Sequence, residues 1–487
     1  MLVFIFGIVS LFSSGKNGEP AGFPAPSDTL RLQRHATVST DTTGRFLRIN
    51  RIFIVGNRIT RDQIILRELS LKTGDIVYSE DLPGMLTLDE KKLINTRLFN
   101  TAEIRTLEME ENNVDLVIDL NERWYTFPVP IFELSDRNFN EWWQTYNHDL
   151  RRINFGLRLF QFNMRGRNET LRLVAQFGFQ KRFEVSYRIP YIDRKQKQGL
   201  GFDFDFSETK NLPYQTEDHK LVFLKAPNVL RTMRGGAITY TYRNSFYDFH
   251  SLKLEFRSTS ITDTIASLNP HFIAPGKKSQ RYGALSYQFT SDHRDYVGYP
   301  LHGYYFNTAL IRTGLTAADD VSKVEATVNY SKFVDLNKGF FLSNNVVGYW
   351  SSPERLSYNA YGALGYRKQF VRGYEIYVIE GPQYFLNKTT FKKRIFSRVY
   401  NWKAMPIQQF RHIPFAVYLK TYADLGYVNN YPRYDREQVN TTLTNKLLTG
   451  AGFGVDIVGS YDTALRIEYS FNGLGERGLF IHIKREF

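Results

Sequence analysis

A chain of 487 residues in which 39 Phe, 31 Tyr and 5 Trp make up 15% is too long for one ordinary domain and unusually aromatic. Its longest apolar run, Leu2 to Phe12, falls short of the about 20 residues a spanning helix requires, and mean hydropathy is -0.37, so helical membrane spans are excluded. A membrane β-barrel passes that test, because only alternate side chains of its strands meet lipid. The net charge of +14 is not gathered into a Lys/Arg block; basic residues alternate with apolar ones, as on the polar face of strands, which argues against nucleic acid as a partner. The chain has no cysteine, which excludes disulfides, thiolate zinc sites and a lipid-modified N-terminal cysteine and is compatible with an oxidising compartment.

In chain order, MLVFIFGIVSLFSSG has the apolar core and small residues of a secretory signal without its basic start, so residues 1–15 are expected to direct export. Residues 16–46, with Pro20, Pro24 and Pro26, read as a flexible linker. A small α/β unit is expected over 47–122. LRINRIFIVGN is a strand running into a Gly56-Asn57 turn, and Thr60 is a candidate N-cap for a helix carrying Ile64, Ile65 and Leu69. After Gly74-Asp75, Ser79 is a candidate cap for a second helix with Leu82, Leu86, Leu93 and Ile94. The strands TAEIRTLEM and VDLVIDLNE follow, giving the order strand, helix, helix, strand, strand.

Residues 123–151, with Trp124, Trp142 and Trp143, read as an aromatic connector lying against a membrane interface. From Arg152 onward period two replaces the helical period. In SLKLEFRS, Leu252, Leu254 and Phe256 oppose Lys253, Glu255 and Arg257; in TALRIEYSFN, Leu465, Ile467, Tyr469 and Phe471 oppose Arg466, Glu468, Ser470 and Asn472. About sixteen such segments fit between Arg152 and Phe487, roughly 21 residues each with their turns. So many strands without a covering helix leave open edges unless the sheet closes. The expected fold is therefore an antiparallel transmembrane barrel of about 16 strands, preceded by the small domain.

The last strand ends on an aromatic: Gly478, Ile481, Ile483 and Phe487 occupy the positions of a polar-x-Gly-x-x-apolar-x-apolar terminal signal. Within the preceding turn, Gly473-Leu474-Gly475-Glu476-Arg477-Gly478 spells GxGxxG, but no helix follows to receive a pyrophosphate, so it reads as a hairpin turn and no cofactor is implied. Gly450, Gly452 and Gly454 suit a strand that bends or is closely approached. GxSxG, HExxH and P-loop signatures are absent and the nine His are scattered, so no enzyme is expected.

Phe370-Val371-Arg372-Gly373-Tyr374 lies in a long non-alternating stretch with five expected strands after it. Placed there, it resembles the loop motif of the BamA/TamA superfamily of outer-membrane assembly and translocation barrels. Gly56-Asn57, Thr60, Ile64, Gly74-Asp75, Leu93, Leu98-Phe99 and VDLVIDLNE likewise resemble a polypeptide-transport-associated (POTRA) domain. The resemblance implies a loop folded back into the barrel, with Arg372 held by Asp424, two residues before Gly426 on the second strand after the loop. It also implies an outer-membrane location with the small domain in the periplasm, and unfolded outer-membrane or secreted proteins, lipids and periplasmic accessory proteins as partners. The family's further acidic position falls on Thr390 or Lys392 here, a departure from its pattern. The working element it implies is a seam between a first barrel strand, about Ile153 to Asn163, and the last, while Thr101, Ile104 and Met109 mark a domain edge that can hold an extended client. A passive channel gated by the loop and a periplasmic scaffold are the alternatives.

Overall fold

A computed structural model describes residues 46–109, 112–134, 153–354, 356–365, 369–402 and 404–485. The expected signal and nearly all of the linker, Trp142, Trp143 and Phe487 lie outside them.

The small domain contains β1 (Phe46–Val55), α1 (Asp62–Leu66), β2 (Ile76–Tyr78), α2 (Leu82–Asn95), β3 (Phe99–Glu108) and β4 (Asn113–Glu122), in a sheet ordered β2-β1-β4-β3. Its central strand β4 buries Val114, Leu116, Ile118 and Leu120, against Ile49 of β1, Ile65 of α1 and Leu93 of α2. At about 1.5–3 kcal/mol for each large aliphatic side chain withdrawn from water, this core holds two short helices that would not persist alone.

Three expectations are corrected here. The extra strand β2 pairs with Phe46–Arg48, and three residues are too few to show a period. Thr60 does not cap α1: its hydroxyl donates to Glu122 Oε1 (2.6 Å), a buried carboxylate that also accepts the Ile59 and Thr60 amides. Nor does Ser79 cap α2, which starts after Asp81 with a proline in its first turn that presets the helical φ.

The larger sheet has sixteen strands, all antiparallel to their neighbours: β5 (Thr126–Leu134), β6 (Ile153–Met164), β7 (Glu169–Gly178), β8 (Gln180–Ile189) and β9 (Gln198–Thr209). After the hairpin β10 (Asn211–Glu217) and β11 (Lys220–Lys225), which lies outside the sheet, come β12 (Arg231–Arg243), β13 (Asp248–Ile261), β14 (Ser279–Asp292), β15 (Gly303–Thr313), β16 (Lys323–Asp335) and β17 (Phe340–Ser352). Past the short pair β18 (Ala363–Leu364) and β19 (Ile379–Glu380), the sheet finishes with β20 (Gln383–Asn401), β21 (His412–Asn429), β22 (Leu447–Val458), β23 (Thr463–Asn472) and β24 (Arg477–Arg485). Period two is borne out: Leu252, Leu254 and Phe256 are exposed on the outer face, while Lys253, Glu255 and Arg257 form ion pairs on the inner one.

The strand that opens the sheet is β5, inside the segment read as a connector, so the seam lies between β5 and β24 rather than β6 and β24. TFPVPIFEL hides its strand character behind Pro128 and Pro130. The Phe162 amide donates to the Tyr125 carbonyl (2.8 Å), which fixes the parity of the ladder: odd residues of β5 bond β6, and even residues, both prolines among them, face the open edge. An edge strand tolerates proline there because no ladder bond is lost. Among the described residues no ladder joins β5 to β24.

The small domain covers one mouth of the barrel. Arg61 bonds the β6–β7 turn at Gly166, Glu68 pairs with Arg243, Asn95 reaches Asp295, Asn100 reaches Gln409, and Arg123 pairs with Asp462 (3.2 Å). Replacing Glu122 by alanine strands three donors at the Ile59–Thr60 turn and should cost about 1–3 kcal/mol locally. Amide exchange at residues 57–61 should accelerate while the barrel keeps its folded migration on a semi-native gel; unchanged exchange would contradict the assignment.

Candidate functional site: a loop folded into the barrel

The described residues between β17 and β20, 353–354, 356–365 and 369–382, turn inward, and the ladder of β18 with β19 pins the two limbs together. Val371 and Tyr374 are buried in a cluster with Leu364, Ile379, Leu386 and Val428, so the loop carries its own apolar anchor. At its tip Arg372 is 6% exposed and Asp424, on β21, is 1% exposed. The guanidinium grips the carboxylate with both Nε (2.8 Å) and Nη2 (2.5 Å), and the Arg372 amide adds a third bond (3.1 Å). Nη2 also reaches the Thr389 carbonyl, and the guanidinium lies 3.8 Å from the centre of the Tyr422 ring. A planar fork matched to a carboxylate and stacked on an aromatic face is an arginine arrangement that lysine cannot reproduce.

Behind this pair runs a chain of alternating charge. Glu468 lies 3.6 Å from Arg372 and 2.9 Å from Lys420, and Lys420 pairs in turn with Asp456, which accepts from Tyr299 (2.7 Å). Buried charges are tolerated because each has an opposite neighbour.

Glycines make the room. A Cβ on Gly426 would stand 2.5 Å from Val371, and one on Gly450 would overlap the Arg372 carbonyl. Gly373 takes φ +96°, a region that favours glycine, and its carbonyl accepts from Asn472 (2.9 Å). Tyr374 accepts the Gly473 amide (3.1 Å), and Phe370 stacks on His482 of β24 at 5.7 Å. The loop thus touches β20, β21, β22, β23 and the sheet's last strand.

At the mouth opposite the small domain, the loop meets β10–β11 and residues 430–446. His219, fully buried at the hairpin tip, accepts the Leu443 amide at Nε2 (3.0 Å), and its carbonyl accepts the Val378 amide (2.8 Å). Asn440 accepts the His219 amide and donates to Thr216. Burial pushes the imidazole down to about 4, because only the neutral ring fits this apolar, acceptor role.

Of the residues expected to act, the structure brings together Val371, Arg372, Gly373, Tyr374, Asp424 and Gly426. Gly478 and Ile481 lie apart on β24, with Ile481 facing outward; the Ile483 side chain is outside the described residues. Thr101 and Ile104 sit on β3, the edge of the small sheet, and Met109 just past it; the Ile104 amide already donates to Glu90 of α2 (2.7 Å). Sequence reasoning missed Glu468, Lys420 and Asp456 as a set. Their only signal was a polar place on an alternating strand, and the register that brings these three side chains of the adjacent strands β21, β22 and β23 together is set by strand pairing. Neither Thr390 nor Lys392 bonds Arg372; the Thr389 backbone does.

A sixteen-stranded barrel with an outward apolar face, a small α/β domain across one mouth and an arginine loop clamped in its lumen defines a bacterial outer-membrane barrel with a periplasmic domain. Residues 163–473 match the Omp85 superfamily domain, and residues 47–123 match the POTRA unit described as a surface antigen variable number repeat. The chain belongs to the Omp85 superfamily, whose outer-membrane members insert or translocate proteins. The fold is similar to that of BamA from Haemophilus ducreyi lacking POTRA domains 1–3, at 14% identity and TM-score 0.52 over 91% of this chain and 84% of that one. It is also similar to CdiB from Escherichia coli, at 11% identity and TM-score 0.54 over 90% and 75%. No curated protein matches the sequence.

Two measurements probe the site. Arg372→Ala should lower barrel stability by about 3–5 kcal/mol, since it leaves Asp424 buried and unpaired. Adding Asp424→Ala should then cost little more, read from the melting of the folded gel band; full additivity would refute the clamp. The His219 acceptor contributes while the ring is neutral, above the ordinary histidine value of about 6.5, and that contribution is lost as pH falls from about 6.5 toward about 4. Protease cleavage at residues 211–225 and 430–446 should rise across that window in wild type and become pH-independent in His219→Gln.

Proposed function

We propose that this chain handles unfolded protein clients at the β5/β24 seam, with the Arg372 loop holding the β20–β24 wall in register beside it. The observation that carries this reading is the unjoined edge itself. Within lipid, backbone amides and carbonyls have no water to bond, so an unpaired edge is a template for an added strand. Pro128 and Pro130 remove two N–H donors from the β5 edge, which keeps β5 from zipping fully onto β24. The free side of β24, whose outward Leu479 and Ile481 are 63% and 62% exposed, is the edge richer in donors. Clients, in this reading, are outer-membrane or secreted proteins, with the exposed edge of β3 holding extended segments by strand addition once Glu90 releases the Ile104 amide. Outer-membrane lipids are the second partner, since opening the seam admits them, and periplasmic accessory proteins dock on the small domain.

Pro128→Val with Pro130→Val restores the two donors and should close the seam. Client assembly, followed by quantitative proteomics of purified outer membranes after depletion of the wild-type chain, should fall several-fold, and β24 amides should gain exchange protection. Arg372→Ala should fail to restore the same proteins. Protected β24 amides with an unchanged outer-membrane proteome would remove the seam from the mechanism.

A further inference from the structure

A cavity of about 1010 Å³ lies where α1 meets the periplasmic turns of β6–β7, β8–β9 and β12–β13. Eight of the residues lining it are Arg or Lys and one, Asp193, is acidic. That carboxylate is already committed, accepting the backbone amides of Lys197 (2.9 Å) and Gln198 (2.8 Å) in its own turn. Arg243 is also satisfied, by a two-point grip on Glu68 (2.8 and 2.9 Å), and Arg167 donates to the Tyr191 carbonyl.

What remains is a surplus of cations centred on Arg67. Its guanidinium lies 3.6 Å from the centre of the Tyr191 ring, and its Nε stands 3.8 Å from Glu68, whose oxygens Arg243 holds. Nη1 is buried and has no hydrogen-bond partner among the described residues. Burial and the neighbouring Arg243 pull Arg67 down to about 9, the signature of a cation short of counter-charge. Around it, Lys72, Lys195 and Lys197 line the same cavity, with no ion pair among the described residues.

The walls are not uniformly polar: Ile64, Leu69 and Phe246 line the cavity as well. Ile192, in the β8–β9 turn, is 46% exposed, and the strands leaving this rim carry the outward Phe202, Ile238 and Leu252 of the lipid-facing belt. Converging cations beside an apolar wall, at the level where the belt ends, suit a ligand that is anionic at one end and apolar at the other.

We propose that this cavity binds a phosphate-bearing anion, in the membrane the headgroup of an anionic phospholipid of the periplasmic leaflet, with Arg67 as its central contact. A phosphate oxyanion matches a guanidinium fork and recruits nearby lysines as point charges. Filling the site would supply the counter-charge that Glu68 does not and would tie α1 to the bilayer surface. This inference is independent of the client reading, because it rests on the junction of domain and rim rather than on the seam.

The test uses the full chain in nanodiscs of phosphatidylcholine with and without phosphatidylglycerol, with retained lipid counted by native mass spectrometry. A parallel titration with inorganic phosphate is followed by thermal melting. Wild type should retain phosphatidylglycerol over phosphatidylcholine. Arg67→Gln combined with Lys195→Gln and Lys197→Gln should lose that preference by about tenfold or more, and Arg67→Lys should fall between them, each variant being checked for folded gel migration. Preferential lipid retention assigns the site to a headgroup, whereas stabilisation by inorganic phosphate alone assigns it to a soluble phosphate. Equal lipid retention by wild type and the triple variant, with no effect of phosphate on either, would overturn the proposal.

Discussion

Every backbone N–H and C=O that meets hydrocarbon must find a partner in the chain, and the rest of this structure depends on that requirement. It turns fifteen neighbouring ladders into one continuous wall and makes the junction of β5 with β24 the place where the requirement is least well met. Pro128 and Pro130 act at that junction by subtraction. A proline flanked by ladders on both sides would break one of them; on the open side of β5 it removes a donor that lies outside the ladder to β6, and so blunts the edge.

The Arg372 clamp answers a different demand. A loop of about thirty residues folded into a lumen has little reason to keep one position, since closing it costs conformational entropy and water competes for its polar groups. Burying one guanidinium against one carboxylate makes the position unique, because either group left alone would be a costly unpaired charge. Gly426 and Gly450 are the steric half of the same device, emptying the space the loop backbone enters. The loop then bears on four successive strands and on Phe370's partner His482 in β24, so the wall beside the seam is stiffened from within.

Much of this was legible in the sequence, for physical reasons that differ from place to place. Alternation along TALRIEYSFN shows because a barrel wall sorts side chains into two solvents, and Arg372 with Asp424 shows because a short motif with a fixed strand offset survives where overall identity is low. What stayed hidden depends on partners distant in the chain. Thr60 had the right residue type and place for a cap, but Glu122, sixty-two residues on, offered its hydroxyl a buried acceptor. Pro128 and Pro130 disguised β5, since a strand's tolerance for proline is decided by whether a neighbour lies on that side. Glu468, Lys420 and Asp456 looked like ordinary lumenal polarity until three strands set them in line.

The positions of the closures bear on the direction of traffic. The small domain bonds five turns around the periplasmic mouth, and β10–β11, the inward loop and residues 430–446 are knotted over the opposite one through His219. A straight path along the barrel axis would have to undo both sets of contacts. A sideways path needs only β5 and β24 to separate, and among the described residues no ladder joins them. The described contacts thus close the barrel at both mouths and leave its one unjoined edge among the described residues in the wall, which fits the proposed handling of clients at the seam.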